Sequence, residues 1–138
     1  FAQNIPILPL SSLQVLAQTA CEAEGVRDVW VMWDARMQEI YLGHYQCING
    51  DIMDAVMADS LLKPNAFELP ISRPFNVVGN GYTAYCHDFN ESVQANIQLF
   101  ADYHPQARAM IALAQADFAT DKLISAHDLE PVYLRNPV

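Results

Sequence analysis

The side chains able to do chemistry in this 138-residue chain are few and scattered. The four histidines, His44, His87, His104 and His127, show neither H-E-x-x-H nor any other i,i+4 pairing, so no helix-borne zinc site is written here. Each is expected at the surface or at a helix cap. Asp34, Arg36 and Glu39 form a charged cluster between two strand-like runs. A carboxylate there could serve as a catalytic acid or base. Turn chemistry explains it more simply, with Asp34 accepting from the amides of the tip and Arg36 pairing locally. Gly79-Asn80-Gly81 follows an apolar run and is the chain's glycine-rich element. Its amides could meet a phosphate or a nucleoside, with Tyr82 as a stacking surface, and a plain tight turn has the same sequence. G-x-S-x-G, a P-loop and G-x-G-x-x-G are all absent. Cys21, Cys47 and Cys86 are odd in number and lack C-x-x-C spacing. That argues against a disulfide framework or a zinc site, and three reduced, mostly buried thiols are expected.

The elements that must position these groups follow from periodicity. Residues 5–10 contain Pro6 and Pro9 and read as extended. Ser11 or Ser12 then caps a helix whose apolar positions are Leu13, Leu16, Ala17, Ala20 and Cys21, closed by Gly25. Residues 28–47 read as a β-hairpin. Val29 to Trp33 supply one strand, Ile40, Tyr41, Leu42, Tyr45 and Cys47 the other, and residues 34–38 the link. Trp30 and Trp33 should lie on opposite faces, with core as the better place for them. A turn at Asn49-Gly50-Asp51 leads to residues 52–62, read as strand, and Pro64 opens a short helix. Residues 74–78 form a short buried strand, residues 83–87 a brief helix, and Ile97 and Leu99 mark another strand. After Pro105 comes the clearest helix, with Ala107, Met110, Ile111, Ala114 and Phe118 as its expected buried stripe. Residues 130–135 read as extended. The sum is a mixed α/β domain with a substantially antiparallel sheet covered by helices.

Composition narrows the function classes. Apolar residues at 52% support a real core, and charged residues at 17% are few for a soluble domain. The net charge of −9, from 7 basic and 16 acidic residues, gives no footprint for a phosphate backbone. Any role with RNA would run through a partner. An acidic face could also dock a basic protein, or simply confer solubility. No apolar run approaches a membrane span. The start at Phe1-Ala2 lacks Met and a basic signal-peptide region, and a fragment of a longer protein is expected.

Taken together, four segments resemble one family. Trp33-Asp34-Ala35-Arg36-Met37-Gln38-Glu39-Ile40-Tyr41 is similar to the D-A-R-M-G-E-V-Y hairpin of the TsaB (YeaZ) family. Glu130-Pro131-Val132-Tyr133-Leu134-Arg135-Asn136 resembles its P-V-Y-L-R signature, and Pro9-Leu10-Ser11-Ser12-Leu13 its G-V-S-T-L helix opening. Gly79-Asn80-Gly81 sits where the family has a comparable turn. Gln38 replaces the family's usual glycine. If that position needs positive φ, Gln38 must strain or the turn must change.

The resemblance implies the second lobe of the two-lobed actin/Hsp70-like (ASKHA) fold, with residues 1–138 as that lobe. It implies a cytoplasmic, non-catalytic subunit supporting threonylcarbamoyl transfer to the anticodon-adjacent adenosine of tRNA. Its partners would be a catalytic TsaD-type paralogue and a TsaE-type ATPase, with tRNA met only indirectly, no membrane, and room for a homodimer of the full-length protein. ATP would be used by the complex and not bound by this lobe. The competing readings are a nucleotide-dependent enzyme of the actin-like superfamily, the glycoprotease (peptidase) with which the family has been credited, and a generic nucleotide-binding lobe. In the catalytic sibling the matching hairpin is glycine-rich. Here Asp34 would repel a phosphate.

Overall fold

The computed structural model describes residues 3–69 and 72–135. Phe1, Ala2 and Asn136, which entered the reading of the sequence, lie outside the described residues.

Helix α1, Ser12–Glu24, begins where Ser11 caps it, the serine Oγ accepting from the Gln14 N–H at 3.4 Å. It ends at Gly25, whose φ of 69° lets its N–H turn back to the Cys21 carbonyl at 2.9 Å. Strands β1, Asp28–Asp34, and β2, Ile40–Cys47, form the expected antiparallel hairpin. Two short strands follow, β3 Met53–Ala55 and β4 Ser60–Leu62, each antiparallel to one half of β2. The single strand expected over 52–62 is thus interrupted at residues 56–59. There the Asp59 carboxylate turns inward to accept from Ser11 Oγ at 2.8 Å and Tyr45 OH at 2.6 Å.

A one-turn 3₁₀ helix opens at Pro64, as expected. Strand β5, Phe75–Val78, then pairs parallel to β1. Helix α2, Asn80–Tyr85, starts directly from the glycine turn, three residues before the helix read from the sequence, and a 3₁₀ turn continues it through Asp88. Helix α3, Glu91–Ala95, had no signal in the sequence, since one turn with Val93 as its buried residue has no periodicity to read. Strand β6, Ile97–Ala101, runs parallel to β5. Helix α4 spans Ala107–Phe118. The sheet order is β3-β2-β1-β5-β6 with β4 also on β2, so the sheet is mixed: antiparallel on one side of β1, parallel on the other.

The sheet is covered on both faces. Val29 and Val31 of β1 pack with Leu13, Leu16, Ala17 and Ala20 of α1, and Trp33 lies half-buried on the same side. Trp30 and Met32 point to the other face, into a cluster with Ile40, Leu42, Phe67, Phe75 and Phe89. The two tryptophans therefore sit on opposite faces as expected.

The expected stripe of α4 is corrected. Its buried residues are Ala109 and Leu113, packed on Val15 of α1. Met110, Ile111 and Phe118 are 46%, 59% and 68% exposed, and Ala107 is exposed too. The reason is that α4 lies on the back of α1 and not on the sheet. A small residue, Ala109, makes the close approach, and the Gln106 N–H is fixed to Thr19 Oγ1 at 3.2 Å. The bulky apolar side chains are left facing outward.

Gln18 of α1 is 2% exposed, and it closes the outer sheet. Its Oε1 accepts from the Met53 N–H at 2.9 Å, and its Nε2 donates to the Asp51 carbonyl at 3.0 Å. Gln14 Nε2 donates to the Met53 carbonyl at 2.9 Å. Gln18→Ala would leave the Met53 amide buried and unpaired. The expected loss is about 1–3 kcal/mol, read from urea denaturation, whereas a loss under about 0.5 kcal/mol would mean that water replaces the glutamine.

Candidate functional site

The two strongest sequence signatures meet at the β1–β2 hairpin tip. The tip is a left-handed turn: Arg36, Met37 and Gln38 have φ of 64°, 53° and 59°. Gln38 thus adopts, without being glycine, the conformation that the family's usual glycine suits. The Ala35 N–H bonds to the Glu39 carbonyl and the Glu39 N–H to the Arg36 carbonyl, each at 3.0 Å, closing the turn.

Two anchors hold it. On one side the Asp34 carboxylate accepts from the Arg36 N–H at 2.8 Å, and the Arg36 guanidinium stands 3.7 Å away. That ion pair is slack, since Arg36 is 87% exposed. Tyr85 OH of α2 donates to the same carboxylate at 2.8 Å, and the Asp34 N–H donates to Asn80 Oδ1 at 2.9 Å. On the other side Arg135 donates to the Ala35 carbonyl at 3.0 Å and contacts the Arg36 carbonyl and the Met37 sulfur. It also pairs with Glu39 at 2.6 Å, both side chains being about a quarter exposed. Glu39 therefore belongs with Arg135 and not with Asp34 and Arg36. Tyr41, next along β2, packs against the α1-side cluster. Pro131 and Tyr133 are exposed, Tyr133 by 81%, and Leu134 is half-buried.

The glycine turn serves the same knot. A Cβ at Gly79, where φ is 107°, would stand 2.5 Å from the Met32 carbonyl oxygen, and one at Gly81 would stand 2.7 Å from the Met32 carbonyl carbon. Both glycines let α2 come down onto β1. That contact brings Asn80 and Tyr85 to Asp34.

Burial would raise the Asp34 pKa. The Arg36 N–H, the Tyr85 hydroxyl and the Arg36 charge outweigh it and hold the carboxyl below its ordinary value of 3.8. Tyr85 is raised in turn by its hydrogen bond to Asp34. The Asp34 carboxylate thus stays ionised, with its hydrogen bonds made to groups of the protein and the exposed Arg36 charge beside it.

Beside the knot runs an apolar groove of about 1230 Å³, lined by Leu8, Leu13, Trp33, Tyr41, Pro131 and Leu134 among others. Its polar corner is Asp59 with Ser11 and Tyr45, the tyrosine pKa being pushed up by burial and then by its bond to Asp59. Ser11 gives its proton to a carboxylate and caps α1. Among the described residues no histidine is hydrogen-bonded to it, so a Ser–His nucleophile is not assembled. Nor is there among them a group of three or more His, Cys, Asp or Glu able to hold a metal, or a helix long and apolar enough to cross a membrane.

Two features escaped the sequence. His44 is neither a surface nor a capping residue: its ring stacks on Trp30 with centroids 4.0 Å apart, and its Nε2 lies 2.7 Å from Asp28. Alternation along β2 put it opposite Trp30 and was the available signal. The cysteines are half-buried and free, and Cys21 and Cys47 are in contact, which their separation in the chain gave no way to see.

Two outcomes follow from the tip. Gln38→Gly relieves a left-handed residue, worth about 1–2 kcal/mol, against about 0.5–1 kcal/mol of added chain entropy. A net stabilisation of about 0.5–1 kcal/mol is expected in chemical denaturation, and a destabilised variant would show that the turn holds no strain. For Asp34, a folded pKa below the ordinary value means its stabilisation is complete above that value and is lost as pH falls through the folded one. Denaturation midpoints of wild type and Asp34→Asn measured from neutral pH downward should therefore converge below about pH 4. A gap that stays constant would exclude the ionised carboxylate as the source of that stability.

The sequence matches, over residues 1–137, the family described as "TsaD: tRNA N6-adenosine threonylcarbamoyltransferase". It is 29% identical over 147 residues to the tRNA threonylcarbamoyladenosine biosynthesis protein TsaB of Haemophilus influenzae, covering 100% of this chain and 60% of that protein. It is 30% identical over 138 residues to TsaB of Escherichia coli, covering 98% and 59%. Among solved structures it is similar to YeaZ from Pseudomonas aeruginosa, with a TM-score of 0.82 and 28% identity over 94% of this chain and 59% of that one. A second Pseudomonas aeruginosa structure, described as an uncharacterized protein with similarity to peptidase YEAZ, gives a TM-score of 0.83 at 28% identity with the same coverage. The chain thus spans about three fifths of the length of each relative it matches. With the fold, both signature motifs and these similarities in agreement, the chain belongs to the tRNA N6-adenosine threonylcarbamoyltransferase family, and within it to the TsaB (YeaZ) proteins.

Proposed function

We propose that this chain is the second lobe of a two-lobed, actin-like protein. That protein is a non-catalytic, cytoplasmic subunit supporting threonylcarbamoyl transfer to the anticodon-adjacent adenosine of tRNA. A TsaD-type paralogue performs the chemistry and a TsaE-type ATPase uses the ATP. The observation that carries this reading is how the hairpin tip uses its polar groups. Arg135 takes the Ala35 and Arg36 carbonyls, and Asp34 takes the Arg36 amide. A hairpin that cradled a nucleotide would need free amides facing the phosphates. This one presents a carboxylate held in its charged form.

Charge and surface support the same reading. At −9 the chain repels a phosphate backbone, so tRNA is held by a partner. The outward Met110, Ile111 and Phe118 of α4 form an apolar face of the kind another lobe covers. The relatives' greater length provides for that lobe.

The test uses the full-length protein in cells depleted of it, with tRNA nucleosides analysed by mass spectrometry. Threonylcarbamoyl-adenosine should vanish on depletion and return with wild type. It should also return with Asp34→Asn, to at least about half the wild-type level. Loss of a catalytic acid or base would cost about 100-fold or more. Unchanged modification after depletion, with no second copy present, would exclude the pathway. Complementation abolished by Asp34→Asn in a protein of normal abundance that still binds its partners would make it an enzyme.

A further inference from the structure

Away from the hairpin tip, α1 and β2 bring two thiols together. Cys21 lies in the last turn of α1 and Cys47 ends β2, and their sulfurs stand 3.6 Å apart. That is van der Waals contact. A disulfide needs about 2.05 Å, so the sulfurs have to close by about 1.5 Å. The backbone is fixed at both ends. The Cys21 carbonyl accepts from the Gly25 N–H and the Cys47 N–H donates to the Arg27 carbonyl, each at 2.9 Å. Arg27 then clamps the turn above the pair, donating to the Gly50 carbonyl at 2.7 Å and to Asp51 at 3.0 Å. Both cysteines are half-buried and pack against the α1-facing core. Cys86 caps α2 and opens the 3₁₀ turn that follows it, and the tyrosines of α2 pack on the opposite face of the sheet. It serves as an internal control.

We propose that Cys21 and Cys47 are a redox-modification site, an intrachain disulfide that closes when a small-molecule disulfide such as oxidised glutathione reaches it. Burial and then its hydrogen bond to Cys47 push Cys21 up to about 12, and the proposed exchange opens at its partner. The Cys47 thiolate bonds to one glutathione sulfur, and the other glutathione leaves as thiolate. Cys21 then loses its proton, attacks Cys47 Sγ, and expels the second glutathione. Two protein thiols and one glutathione disulfide become one protein disulfide and two glutathione thiols, which carry the two protons. In a reducing compartment such a pair is an oxidation-responsive link and not a permanent staple. It would pin the end of α1, the helix whose first turn walls the apolar groove.

The test is made on the whole chain, equilibrated in oxidised-glutathione-rich buffer, acid-quenched, alkylated and peptide-mapped by mass spectrometry. The expected product is two hydrogens lighter, with Cys21 and Cys47 peptides linked and Cys86 alone free or glutathionylated. Cys86→Ser should still close, whereas Cys47→Ser should lose the link. Because the closed loop constrains the unfolded chain, the oxidised form should melt about 5 °C or more above the reduced one. The proposal is overturned if Cys21 and Cys47 remain alkylatable, or stop at separate glutathione adducts, under conditions that glutathionylate Cys86.

Discussion

Three consecutive non-glycine residues held at positive φ set the demand that the rest of this site meets. Left-handed backbone costs about 1–2 kcal/mol per residue, so Arg36, Met37 and Gln38 together cost about 3–6 kcal/mol. Hydrogen bonds to charged groups contribute about 1.5–3 kcal/mol each. The Asp34 carboxylate on the Arg36 amide and the Arg135 guanidinium on the Ala35 carbonyl are two such bonds. They are of the size required. The tip keeps its shape because a residue from each strand end, from α2 and from the far C-terminal segment converges on it.

This constraint explains why distant segments carry the family resemblance. Asp34 can hold the turn only if its carboxylate is itself oriented, and Tyr85 does that. Tyr85 reaches Asp34 because Gly79 and Gly81 let α2 touch β1. Arg135 reaches the tip because the C-terminal segment is guided past α1. An isolated antiparallel bridge between Ile7 and Ile124 starts that path. Sequence motifs that look independent along the chain are thus parts of one mechanical assembly.

Much of this was legible and some was not, for identifiable reasons. The α1 caps and the hairpin strands were readable because Ser11, Gly25 and the β-branched and aromatic residues of β1 act locally. The need for positive φ at Gln38 was readable from the family's glycine. The partner of Arg135 was not, since a hundred residues separate it from Ala35 and nothing in a motif says what it touches. The face of α4 differs from the expectation because the apolar spacing of Ala107, Met110, Ile111, Ala114 and Phe118 does not mark the side in contact. Contact with a neighbouring helix selected the small Ala109. His44 and the Cys21–Cys47 pair became visible only once the sheet register and the α1–β2 packing were known.

The same assembly bears on what a hairpin held in this way can present to its surroundings. Catalytic groups act on what lies outside them, and so need free valences pointing at solvent or ligand. Three of the four charged side chains at this tip turn inward, Asp34 to the Arg36 amide and Tyr85, Glu39 to Arg135, and Arg135 to two carbonyls, while the Arg36 guanidinium stays exposed. A hairpin so occupied has exchanged reach for rigidity. What it offers outward is a fixed contour, the exposed Arg36 guanidinium and an adjoining apolar groove. A fixed contour beside an apolar groove is a property that a neighbouring protein surface can use.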